Sequence, residues 1–170
     1  MRIAIIQLSD LHIASADDYI VKNAVAVARS CKAVVNTCNK AVVVVTGDII
    51  DKGKVDNYAV AKQFFDTLKT ELLKEASLQS FDYVFVPGNH DLDFCLTDDI
   101  RPVILNAIKD RDVVSEDQIV NTCLAPQNKF WEFVTEMEGV DRKPCVSYSK
   151  SIELSEHCNL QYFVKNLKTV

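Results

Sequence analysis

Ala41-Val42-Val43-Val44-Val45-Thr46-Gly47-Asp48 is the stretch that decides the fold of this chain. Four consecutive valines suit a strand covered on both faces, and such strands belong to parallel sheets flanked by helices. The run then stops at a glycine and a carboxylate. Two other apolar runs stop in the same manner: Ile3–Leu8 before Ser9-Asp10-Leu11-His12, and residues 83–86 before Pro87-Gly88-Asn89-His90-Asp91. Three short strands, each delivering oxygen or imidazole donors at its carboxyl end, describe one sheet edge carrying a metal site.

Working outward, Ile3–Leu8 reads as a central strand covered on both faces. Asp17 and Asp18 offer a helix start, and helical spacing runs from 19 to about 37. A second helix is predicted over about 55–74, with Tyr58, Ala61, Phe64, Phe65, Leu68, Leu72 and Leu73 on or near its inner face. Residues 81–86 form the third strand. Strand, helix, strand, helix, strand is the pattern of a parallel α/β sheet, whose ligands gather outside the carboxyl ends of the strands.

Beyond residue 91 the pattern changes. Thr97 with Asp98 and Asp99 resembles a helix cap before an apolar series from Ile100 to Ile108, and Ser115-Glu116-Asp117-Gln118 opens another short helix. Pro126 precedes a third helix with Phe130, Trp131, Phe133, Val134 and Met137. Residues 92–143 therefore read as a helical insertion, forming either a wall or lid over the site or ordinary outer-layer packing. Strand-like segments at 151–154 and 160–164 form a hairpin. The whole chain, 1–170, reads as a single domain.

Composition narrows the function classes. Charged residues make up 25% and the net charge is -5, which argues against a non-specific nucleic-acid or membrane surface role. A phosphate substrate stays open, because bound divalent cations reverse the local field. The first apolar run is too short for a membrane span and is interrupted by Gln7 and Asp10. Six cysteines form no CxxC pair, which fits reduced thiols in a cytoplasmic protein; Cys31 and Cys38, seven apart, read as one face of a helix. The four glycines build neither GxGxxG nor GxxxxGK[ST], so dinucleotide and P-loop binding are excluded.

The clusters themselves suggest hydrolysis. Asp10 and His12 are two apart, so in extended backbone both side chains point the same way and can chelate one ion. Asp48 ends a neighbouring strand beside Gly47, which permits a tight turn. Asn89 offers a neutral amide oxygen. Mixed carboxylate, imidazole and amide donors suit manganese, iron or zinc. Two such ions, roughly 3.5–4 Å apart, clamp a phosphate ester and favour in-line displacement, while a histidine that is not a ligand protonates the leaving alkoxide. The bland alternative is three loop carboxylates capping strand ends.

In order and in strand context, Asp10-x-His12, Gly47-Asp48 and Gly88-Asn89-His90-Asp91 resemble the first three motifs of the calcineurin-like metallophosphoesterases. The resemblance covers about residues 1–91. It implies a two-sheet αββα sandwich, of which this chain supplies a mostly parallel first sheet with flanking helices. It implies that Asp10 and His12 hold a first divalent ion, Asp48 bridges, and Asn89 binds a second. His90 would be the acid, with Asp91 orienting its imidazole. The implied substrate is a phosphate ester of a small molecule or nucleotide.

The family pattern continues with a lone histidine and a Gly-His-x-His motif. Of three histidines here only His157 follows His90, and it sits in a turn context without that motif, so it is given no role. The expectation is a domain incomplete at its C-terminus, with the second metal shell unfinished and hydrolysis by these residues alone weak or absent. The alternative from another class is a non-catalytic scaffold of the same fold that binds a partner protein.

Overall fold

The structure is a computed structural model of the chain, and it describes residues 1–51, 55–74, 76, 78–96, 102–104, 106, 117–155 and 158–165. Residues 97–101, 107–116, 156–157 and 166–170 lie outside them, and with them the expected cap at Thr97, the apolar positions Ile100, Ala107 and Ile108, and His157.

Three parallel strands make the first sheet: β1 (Ile3–Leu8), β2 (Lys40–Thr46) and β3 (Ser80–Val86), in the order β1-β2-β3. The valine run is the centre. Ala41, Val42, Val43 and Val45 are wholly buried. β1 does not occupy the centre, as its composition had suggested. It lies at the edge of the described sheet, and Ile5 is 61% exposed. An apolar run reports how much burial a strand can use, not which neighbours the topology supplies.

Even-numbered residues of β1 face β2, as the bonds from Lys40 N to Arg2 O and from Asp10 N to Gly47 O show at its two ends. By alternation, the backbone groups of Ile3, Ile5 and Gln7 point away from the sheet.

The helix following β1 comes in two pieces, α1 (Tyr19–Lys22) and α2 (Ala24–Val35). Asn23 separates them at φ -103, ψ 14, its side-chain amide donating to the Tyr19 carbonyl at 2.7 Å. That local bond competes with continuous helix. Asp18 sits at the N-cap but turns its carboxylate back onto the Ala14 and Ser15 amides instead of capping. Cys38 lies beyond the end of α2, so it does not share a helical face with Cys31. α3 (Tyr58–Leu73) buries Tyr58, Ala61, Phe64, Phe65, Leu68 and Leu72 at spacings of three and four, while Leu73 is 37% exposed.

One core lies between the sheet and the helices. Phe65 is its hub, in ring contact with Tyr83, Phe85 and Phe133. Residues 102–104 and 106 are helical, and beyond them among the described residues come α4 (Asp117–Leu124) and α5 (Asn128–Glu138). Phe130, Trp131, Phe133 and Val134 of α5 enter this same core, so α5 is packed against it. It stops at Gly139, which takes the left-handed conformation at φ 69.

On the opposite sheet face packs an antiparallel hairpin, β4 (Ser147–Ser155) and β5 (Cys158–Lys165). Ile152 meets Val42 and Val84 there. Helices, parallel sheet and hairpin thus form three successive layers. Lys150 Nζ donates to the Tyr83 carbonyl at 2.7 Å and to Glu138 at 3.1 Å, and the Tyr148 hydroxyl donates to the Phe85 carbonyl. Side chains from the hairpin therefore occupy acceptors on β3. No helix among the described residues is long and apolar enough to cross a membrane.

Candidate metal centre

Parallel pairing does not stop where β1 and β2 end. Asp10 N donates to Gly47 O at 3.1 Å, His12 N to Asp48 O at 3.0 Å and Ile13 N to Ile49 O at 2.9 Å. The two loops leaving the sheet therefore run side by side, which carries Asp10 and His12 against Asp48. One ligand atom from each of these three residues lies within 4.8 Å of the others.

The backbone there is unusual. Among the described residues, the non-glycine positions with positive φ are Asp10 (54), His12 (45) and Asp48 (54). Left-handed backbone costs an ordinary L-residue roughly 1–2 kcal/mol. Strain of this kind persists where surrounding structure enforces it, and it gathers at functional sites. Here it falls on three of the four expected ligands.

Two glycines make the third loop fit. Gly47 has φ +94, and a Cβ on it would meet the Gly88 backbone at 2.8 Å. A Cβ on Gly88 would lie 2.0 Å from Asp48 Oδ1. With both positions bare, the loop after β3 closes on Asp48, and His90 N donates to Asp48 Oδ1 at 3.0 Å. Asn89 is held between these two contacts.

Asp91 does not orient the His90 imidazole. Its carboxylate, 1% exposed, accepts from Ile49 N at 2.9 Å, Ile50 N at 3.2 Å and Gly88 N at 2.8 Å. The Tyr58 hydroxyl fixes its carbonyl at 3.0 Å. Asp91 therefore clasps the Asp48 loop to the Asn89 loop. Burial pushes its carboxyl up to about 6, with the Asp48 charge adding to the rise and the three amide bonds opposing it.

The carboxylate beside His90 is Asp51, with Oδ1 4.0 Å from Nδ1. Asp51 stands outside the three sequence clusters. Its position three residues beyond Asp48 was the available signal, since the pairing of Ile13 with Ile50 returns that stretch to the site. The His90 ring also packs edge-on against His12, with centroids 4.6 Å apart. His12, Asp51 and His90 form a second group with ligand atoms within 4.8 Å of one another.

The donor set is two carboxylates and an imidazole, with a further imidazole and carboxylate alongside. Among the described residues it is oxygen-rich, partly exposed and free of thiolate, which fits a divalent cation. Ser9 Oγ donates to Asp10 Oδ2 and steadies the outermost carboxylate.

A calcineurin-like phosphoesterase family model matches residues 3–154, and the chain belongs to that family. A comparison with curated proteins finds no match. Membership brings a phosphoesterase fold and the use of divalent metals to the residues assembled here.

Proposed function

We propose that this calcineurin-like phosphoesterase hydrolyses phosphate mono- or diesters at a dinuclear divalent-metal site. Asp10 and His12 would hold the first ion, Asp48 would serve both, and Asn89 would serve the second. Ions held there, as manganese, iron or zinc, would supply charge neutralisation and a nucleophile at neutral pH. His90 donates a proton to the leaving alkoxide, and Asp51 is the carboxylate placed to align its ring. Asp91 acts through the backbone, keeping the Asp48 and Asn89 loops together.

The observation that carries this reading is the meeting of Asp10, His12 and Asp48 on left-handed backbone at the carboxyl ends of β1 and β2, with His90 in contact with His12. Residues 92–143 are proposed as the wall that selects the substrate, a small phosphate ester or nucleotide. The anchoring of α5 in the core makes its part of that wall a fixed one. The unpaired cysteine spacing supports a cytoplasmic setting.

A second reading is a non-catalytic scaffold for a protein partner. It is favoured by the expected ligand set, which leaves only Asp48 and Asn89 for the second ion. Turnover of a chromogenic phosphodiester with added Mn²⁺ separates the two. Weak turnover that Asp48→Asn abolishes supports hydrolysis. Metal binding that Asp48→Asn weakens, with no turnover in the parent protein, supports the scaffold.

A further inference from the structure

His90 Nδ1 is a buried nitrogen without a hydrogen-bond partner among the described residues. It faces Asp51 Oδ1 at 4.0 Å, beyond hydrogen-bonding range. Ligand atoms around one tetrahedral zinc ion, each about 2.0–2.2 Å from the metal, lie about 3.3–3.6 Å apart, so the two side chains would close by about half an ångström on binding. The third member of the group, His12, packs its ring on His90. We infer that His12, Asp51 and His90 form a second cation seat, selective for zinc, which competes with the Asp10, His12 and Asp48 group for the His12 imidazole.

The two groups differ in chemistry. Two imidazoles and one carboxylate are a borderline-soft set of the kind zinc adopts with an open fourth position. Two carboxylates and one imidazole are harder and favour manganese. A neutral imidazole has a single unprotonated nitrogen, so His12 serves one group at a time. Filling the zinc seat therefore draws a ligand away from the other group. It also commits the free nitrogen of His90 to a metal. Zinc then acts as an inhibitor of the manganese-loaded protein, because the Asp10, His12 and Asp48 group loses its imidazole. This inhibitory consequence rests on the proposed hydrolysis at the Asp10, His12 and Asp48 group, whereas the seat itself does not.

The test is direct titration of the purified chain with ZnCl₂ and, separately, MnCl₂ against a chromophoric chelator. Asp51→Asn, His90→Gln and Asp10→Asn are compared with the parent, each checked for native far-UV circular dichroism. Loss of a partner outside the ligand shell already costs 10–100-fold in affinity, so loss of a ligand should cost more than about tenfold. Asp51→Asn and His90→Gln should each weaken zinc by at least that factor, with manganese changed by less than about threefold. Asp10→Asn should do the reverse. Zinc affinity that follows Asp10 and ignores Asp51 and His90 overturns the seat, as does equal loss of both metals in all three variants. Absence of Mn²⁺-dependent phosphodiester turnover, with the zinc pattern intact, refutes the hydrolase reading and leaves the seat standing.

Discussion

Gly88 has no side chain because the position a Cβ would take lies 2.0 Å from the Asp48 carboxylate. Gly88→Ala must move either that carboxylate or the loop carrying Asn89. The expected result is a loss of Mn²⁺ affinity of more than about tenfold, comparable with removing a partner of a ligand. Titration giving the parent affinity would show that Asp48 is not a ligand. Asp91 makes a different prediction, because burial raises its carboxyl to about 6 from an ordinary 3.8. A raised carboxyl contributes stability that is complete below the ordinary value and is lost as pH rises through the folded one. In chelator, the parent should therefore lose stability between about pH 4 and pH 6, a slope that Asp91→Asn lacks. Urea unfolding across that range checks it; parallel curves for the two proteins would refute it. The residue pattern made Asp10, His12 and Asp48 legible as a group. The work of Asp91 was not legible, because a carboxylate that accepts backbone amides reads the same as one that holds a ring.

At the scale of elements, Phe65 ties α3 to β3 and α5 through rings on three neighbours. It is fully buried. Phe65→Ala should cost about 3–5 kcal/mol by removing apolar burial and leaving a cavity. Chemical denaturation measures it, and a cost under about 1 kcal/mol would mean the aromatic cluster collapses to fill the gap. β1, β2 and β3, the course of α3 and the inward face of α5 could all be read from periodicity, since burial dictates it. The break at Asn23 could not, because one side-chain bond decides it against the helical pattern on both sides. The neighbours of β1 were equally hidden. Periodicity describes a strand's faces and is silent about its edges.

For the molecule as a whole, the loops that carry the expected ligands are joined by Asp91 and by continued parallel pairing, so cation binding is coupled to the folded state. An ion that binds only the native form raises stability by about 2.7 kcal/mol at one hundred times its dissociation constant. Mn²⁺ should therefore raise the thermal midpoint in a concentration-dependent manner, and Asp48→Asn should remove the shift. A shift that persists in the variant would place the stabilising ion elsewhere. The two flanks of the first sheet carry a separate consequence. On β3 the Tyr83 and Phe85 carbonyls are already taken by Lys150 and Tyr148, whereas β1 turns the backbone of Ile5 outward beside an exposed side chain. Open-ended growth by strand addition needs two receptive borders on every unit. Among the described residues this sheet offers one, so copies that met along it would close as a symmetric pair.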